Sequence, residues 1–333
     1  MTDVTAPVHG GPDGGPAIVA DFSSNANALG PSPMATAALA AADPRDYPDP
    51  GYAAVRRALA DLHGRAPTEV VVGAGACELI HRVVRASDGP VVVDDPTFGE
   101  YRYAARLAGH EIRVARDDRA FVRHLPGAAL AVLCMPSVPV GVMPDGDRLA
   151  RLLAHATAVG CRVLLDLAYH PLAKRRPSPP RAAWQLWAPN KAHGVTGVRA
   201  GYLLAPAPDA ARLRHAPSWI LSAHGEAFLR CLPDAGARAW VRETRATLWR
   251  WRDELVDDLT ALGVPVETGD APFMLAHVGD GAAATGRLRA RGIRVRDATS
   301  FGTPTAVRLS AQPPAARAAL RAALADVLRA ASR

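Results

Sequence analysis

The chain has 333 residues with 39 Lys and Arg against 32 Asp and Glu, a formal net charge of +7, and is 49% hydrophobic but only 5% aromatic. That length buries a large core and holds one big domain with a smaller one attached, in the composition of an ordinary soluble enzyme. The longest apolar runs, such as Val70-Val71-Val72, are too short to span a bilayer, and the start Met1-Thr2-Asp3 lacks the basic and apolar regions of a signal peptide, so the expected compartment is the cytoplasm and no membrane partner is expected.

In chain order, residues 1–30 read as an irregular N-terminal arm containing His9-Gly10-Gly11 and leading into Asp21-Phe22-Ser23-Ser24-Asn25. A helix over Ala53 to Leu62, a strand over Glu69 to Val72, a helix over Glu78 to Arg85 and a strand over Val91 to Asp94 follow. Next come a helix over Gly99 to Ala108, strands at Ile112 to Ala115 and Ala129 to Cys134, a helix at Arg148 to Val159, and strands at Arg162 to Leu165 and Ala200 to Leu204. Apolar strands alternating with amphipathic helices predict an α/β fold, a mostly parallel sheet with helices on both faces. After Pro217 the texture turns helical, from Arg238 to Leu262 and again from Ala315 to Ala331. This divides the chain into a large domain over 31–215 and a smaller C-terminal α+β domain over 216–333.

The basic residues are interleaved with acids, as in Arg242-Glu243-Thr244-Arg245, and no basic tail or aromatic platform accompanies them, so no nucleic-acid partner is expected. Cys77, Cys134, Cys161 and Cys231 lack the paired spacing of a zinc or redox motif, and the histidines form no metal-binding pair, so no metal is expected.

Only two of the 39 basic residues are lysines, Lys174 and Lys191. Lys174 opens a basic, proline-rich stretch and reads as a solvated loop cation. Lys191 lies in Ala188-Pro189-Asn190-Lys191-Ala192-His193-Gly194, and a chain that otherwise uses arginine has kept an amine there. Guanidinium meets any demand for charge, but bonding to an aldehyde needs a nitrogen that can lose its proton. Lys191 therefore reads as a Schiff-base lysine.

Three other segments converge with it at strand ends, where such sheets form their ligand crevice. Gly73-Ala74-Gly75-Ala76-Cys77 follows a strand and opens a helix, which suits an anion. A tight turn alone also demands glycine there. Arg199, eight residues past Lys191, can pair with the same anion. Asp166 ends a strand, where it either caps a loop or holds a pyridine nitrogen protonated, with Tyr169 able to bond the ring oxygen. Phe98 is placed to stack on that ring or to pack in the core. Trp184, Trp187 and Trp219 either line the pocket or pack.

These residues resemble the fold-type-I, pyridoxal-phosphate-dependent aminotransferases of class I/II, from about Asp21 to the C-terminus. The closest branch holds histidinol-phosphate aminotransferase and threonine-phosphate decarboxylase. The resemblance implies pyridoxal 5'-phosphate as cofactor, contacted by Gly75, Ala76, Cys77, Phe98, Asp166, Tyr169, Lys191 and Arg199, with Lys191, Asp166 and Tyr169 catalytic. Tyr47, in Tyr47-Pro48-Asp49-Pro50, is similar to a tyrosine that reaches the cofactor phosphate of the neighbouring subunit, implying a homodimer with shared active sites. Arg308, in Val307-Arg308-Leu309-Ser310, and Arg296 match anion contacts of the substrate. Asn25 lies in the N-terminal signature, and His9-Gly10-Gly11 resembles the decarboxylase; both are expected at the substrate.

Two positions depart from the family. Val138, in Met135-Pro136-Ser137-Val138-Pro139-Val140-Gly141, stands where relatives place an asparagine that bonds the ring oxygen, which implies a more basic Schiff-base nitrogen. Ala188 stands where many relatives carry a hydroxyl on the phosphate, leaving Asn190 and Thr196 to compensate. The expected substrate is a small amino acid or a phosphorylated amino compound. Amino transfer is the favoured reaction, with decarboxylation, and specialised elimination or substitution, as alternatives.

Overall fold

The computed structural model describes residues 6–331. The chain enters through a short strand, β1 (Ala20–Asp21), and helices α1 (Pro33–Ala40) and α2 (Ala53–His63). An alternation follows: β2 (Val70–Gly73), α3 (Ala76–Arg85), β3 (Val91–Asp94), α4 (Glu100–Leu107), β4 (Ile112–Ala115), α5 (Asp118–His124), β5 (Leu130–Cys134), α6 (Gly146–Ala158), β6 (Arg162–Asp166), β7 (Trp184–Trp187) and β8 (Gly201–Leu204). Helices α7 (Ala207–Leu213), α8 (Ala223–Cys231) and α9 (Ala235–Ala261) lead to β9 (Val266–Thr268), β10 (Phe273–His277), α10 (Gly281–Arg289), β11 (Ile293–Arg294), β12 (Arg296–Asp297), β13 (Ala306–Ser310) and α11 (Pro314–Ala331).

The large sheet has seven strands in the order β2-β8-β7-β6-β5-β3-β4. Every neighbouring pair is parallel except the two that β8 makes, with β2 and β7. Its valine runs are buried on both faces, because side chains alternate along a strand and both faces carry helices. Val71, Val93 and Leu164 pack beneath α3, α4 and α7 through Leu79, Tyr101 and Leu213. On the other face Val92, Leu133 and Leu165 meet Phe121 of α5 and Leu149 of α6. Val70, Val72 and Leu204 on that face meet Leu59 of α2 and Phe228 of α8. Several helices start where a short polar side chain accepts a first-turn amide, as Asp117, Asp145, Ser222 and Asp280 do.

A four-stranded antiparallel sheet, β12-β13-β10-β9, forms a second layer with α9, α10 and α11. Several features differ from the sequence reading. The N-terminal arm ends in structure: β1 pairs with β11, and Ala20 and Phe22 are buried in the core of the small sheet. Strand β7 and helix α5 were not expected; β7 follows a proline-rich loop, and α5 is a short helix between two strands. Both α7 and α8 pack on the large sheet although the expected boundary at 215/216 separates them, and beyond the N-terminal arm the first residue in the core of the small sheet is Leu255 of α9. We infer that the two units divide within α9.

Candidate active site

The carboxyl ends of the parallel strands meet at one cleft. Gly73 ends β2, Asp94 ends β3, Cys134 ends β5, Asp166 ends β6 and Trp187 ends β7, while β8 begins two residues after Arg199. The loops leaving these ends enclose an outer chamber of about 360 Å³ and an inner one of about 90 Å³. Cys77, Phe98, Val138, Tyr169 and Lys191 line both.

The inner chamber adds Ala76, Asp166, Ala188, Asn190 and Arg199. Gly75 precedes α3 with φ +86, and a Cβ on it would lie 2.6 Å from the Arg199 guanidinium. Glycine is therefore required both by the left-handed backbone and by the approach of Arg199. The first-turn amides of α3 face no carbonyl of their own helix and open beside that guanidinium. Arg199 donates to the Thr196 carbonyl at 2.9 Å. Thr196 lines neither chamber, whereas Asn190 lines the inner one, and its Oδ1 has no hydrogen-bond partner.

Asp166 is only 6% exposed. Its Oδ2 accepts the Tyr101 hydroxyl at 2.8 Å and its Oδ1 accepts the Ala168 amide at 3.0 Å. Burial nevertheless pushes this carboxyl above the usual range, against the pull of those two bonds and of Lys191. Sequence reading missed Tyr101. The available signal was its place three residues after Phe98, on the helix that leaves β3.

The Lys191 turn is fastened from the other side. The Asn27 amide donates to the Lys191 carbonyl at 2.9 Å, and the Asn27 side chain donates to the Ala192 carbonyl at 3.0 Å. Gly194, at φ +64, packs so closely on Gly30 that a Cβ on it would lie 2.6 Å from the Gly30 Cα.

The outer chamber is cationic. Arg296 and Arg308 are Cα partners on β12 and β13, and are 5% and 7% exposed. Arg308 donates to the Ser23 carbonyl at 2.7 Å, and Arg296 donates to the Val8 carbonyl at 2.8 Å and the Ser300 hydroxyl at 2.6 Å. Neither has a carboxylate partner among the described residues. Burial lowers both guanidiniums, Arg308 to about 10, and Arg296 adds repulsion there. Asn25, 3% exposed, lines the same chamber with both side-chain amide atoms unpartnered among the described residues.

His9 also lines this chamber; its ring lies 5.4 Å from that of Phe98 and its Nε2 is 2.7 Å from Glu100. The glycine turn, Phe98, Asp166, Tyr169, Lys191, Arg199, Asn25, Arg296, Arg308 and His9 are thus brought to one cleft. Tyr47 is not: it is 79% exposed, with its ring tilted at 32° against that of Trp219, 4.5 Å away. No tryptophan lines either chamber; Trp184 is buried with its Nε1 donating to Asp209.

The family description "Aminotransferase class I and II" matches residues 17–327. The chain belongs to that family. It is 31% identical over 319 residues to a histidinol-phosphate aminotransferase of Dinoroseobacter shibae, spanning 88% of this chain and 86% of the relative. A histidinol-phosphate aminotransferase of Jannaschia sp. is also 31% identical, over 88% of this chain and 87% of the relative. Among solved structures, the histidinol-phosphate aminotransferase of Sinorhizobium meliloti in complex with pyridoxal-5'-phosphate superposes with a TM-score of 0.83 at 24% identity, covering 95% of this chain and 92% of that one. The L-threonine-O-3-phosphate decarboxylase of Porphyromonas gingivalis has a TM-score of 0.80 at 22% identity, covering 93% and 100%. At those identities the two structures speak for the fold, which is that of fold-type-I aminotransferases.

Proposed function

We propose that this chain is a pyridoxal-phosphate-dependent aminotransferase acting at the alpha carbon of a small amine that carries an anionic group. One observation supports the anionic substrate above the rest: two buried arginines stand side by side facing the Lys191 cleft without a carboxylate to neutralise them. A buried charge without a partner is costly, and an anionic ligand offsets that cost for both at once.

The residues fit the cofactor. Asn190 lines the inner chamber and Asn25 the outer, and each holds buried side-chain polar atoms without a partner among the described residues. The α3 amides with Arg199 suit a phosphate, and Asp166 suits a cationic ring nitrogen, whose charge would relieve the desolvated carboxylate. Phe98 and Val138 would bound the ring, and Lys191 would hold the aldehyde. When bound, pyridoxal phosphate supplies a ring that accepts the electron pair of a bond broken at the substrate alpha carbon.

The chain's own part is positional and protonic. Arg308 and Arg296 grip the substrate anion and so set which alpha-carbon bond stands across the ring. The Lys191 Nζ takes and returns the proton at that carbon, and the Asn27 clasp fixes where Nζ can reach. Tyr101 keeps the Asp166 carboxylate oriented. Tyr47, exposed and in ring contact with Trp219, would serve the site of a second subunit in a homodimer. Four free cysteines suit the reducing cytoplasm.

Decarboxylation is the second reading, favoured by His9 at the outer chamber beside Arg296. If both arginines and His9 hold a distal phosphate, the alpha carboxylate is left free to turn across the ring. Half-reaction spectroscopy with amino acids and their phosphates decides. Loss of the visible cofactor band with release of a keto product means amino transfer; carbon dioxide without that loss means decarboxylation. Lys191→Ala should abolish the visible band and lower the rate by about 10²–10⁴-fold from the lost proton transfer. A variant that keeps the band and the rate would refute the assignment.

A further inference from the structure

A third cleft lies on the other flank of the Lys191 turn. It has a volume of about 420 Å³ and shares no lining residue with the two chambers, although Pro189, Ala192 and His193 border it and Lys191 borders them. It opens over β7 and β8, on the sheet face where α2 and α8 leave Trp187 half-buried.

One side is flat and neutral. Trp187 and Tyr202 are Cα partners on adjacent strands and their rings stack at 6.2 Å and 11°. His63 donates to or accepts from the Tyr202 hydroxyl at 2.8 Å, and its ring lies 4.9 Å from Trp187. Burial lowers His63 and His193 to about 4, so both are uncharged at neutral pH. His193 is only 5% exposed, and its Nδ1 has no hydrogen-bond partner among the described residues.

The other side is basic. Arg238, Arg242 and Arg245 recur on one face of α9, and Arg176 meets them from the loop after β6. Arg245 donates only to the Pro171 carbonyl, at 3.4 Å, and is lowered by burial and by repulsion from Arg176 and Arg242. The nearest acid to Arg242 is the exposed Glu243 at 3.8 Å, and among the described residues Arg176 and Arg238 form no ion pair. Four guanidiniums thus share a cleft in which the one acid within 4 Å among the described residues is the exposed Glu243, opposite a wall of aromatic rings.

We propose that this cleft is a second ligand site, which takes a small aromatic phosphate or carboxylate: the ring lies against the half-buried Trp187, which the buried Tyr202 backs, and the anion meets Arg242, Arg245 and their neighbours. Cation-bonded oxygens supply the affinity and ring contact supplies the selectivity. This reading is independent of the reaction catalysed at Lys191.

Calorimetric titration of the cofactor-loaded protein tests it, with phenyl phosphate and inorganic phosphate as probes and an excess of amino substrate occupying the outer chamber. The expected result is one remaining phenyl phosphate per chain, bound more tightly than inorganic phosphate and weakened by roughly tenfold or more in the double variant Arg242→Gln and Arg245→Gln. Arg242 is exposed and Arg245 half-buried against Pro171, so the double variant is first required to melt with the natural protein. The proposal is overturned if no phenyl phosphate binds beyond the substrate site, or if the double variant binds it unchanged. It is overturned equally if the double variant alters the sedimenting mass, because the arginines would then be a subunit contact.

Discussion

Replacing Tyr101 with phenylalanine removes one oxygen and nothing else. The ring is fully buried among Leu79, Val93 and Ala105, so the core keeps its volume and no cavity opens. What is lost is the hydroxyl that donates to the Asp166 Oδ2 at 2.8 Å. A hydrogen bond to a buried ionised group is worth about 1.5–3 kcal/mol, and losing it fully where the charged carboxylate is needed lowers kcat/KM by about 10–100-fold. The sign in pH follows from the carboxyl's own balance. Burial raises its pKa and the Tyr101 bond opposes that rise, so the variant's carboxyl moves further upward. Below its pKa Asp166 is neutral and cannot hold a cationic ring nitrogen, so the acid limb of the kcat/KM profile should shift to higher pH, with weaker cofactor retention on dialysis. If the two pH profiles superimpose and kcat/KM agrees within about twofold, Tyr101 is only a packing residue.

Val138→Asn would return an amide to the place where relatives carry one, beside Phe98 and Tyr169. Spectral titration of the bound cofactor should show its transition about one unit lower in pH than in the natural protein, whose own transition should not fall well below neutrality; an unmoved transition would show that the amide does not reach the ring oxygen. Gly194→Ala should cost about 1–3 kcal/mol of stability, since its φ of +64 and the 2.6 Å approach to the Gly30 Cα leave backbone nowhere to move. Gly286→Ala, on α10 with open space around it, is the matched control and should melt no lower than the natural protein. Asp94→Asn tests a pH-linked term: burial raises this carboxyl to about 6, so the neutral form's stability is complete in acid and lost as pH rises through that value. The variant should melt higher than the natural protein above pH 6 and no higher near pH 4, and parallel melting curves would contradict it.

What could be read from the sequence was local. An amine kept among arginines, an aspartate closing an apolar strand and a glycine turn opening a helix each carry their meaning within a few residues, and the parallel sheet gathers strand ends whatever lies between them. What escaped was decided by partners far along the chain. The Tyr101 hydroxyl meets a carboxylate 65 residues on, and no periodicity announces such a pair. Trp187 showed the converse: near the lysine it could either line the cleft or pack, and the one-residue alternation of β7 turns it to the opposite sheet face, toward His63 and the arginines of α9. Arg296 and Arg308 lie between these cases. Their identity was legible, yet their force comes from cross-strand register in β12 and β13, which sets two like charges side by side and buries them. That placement raises the cost of leaving either guanidinium unpaired, which is why the proposed substrate carries an anion to this end of the cleft.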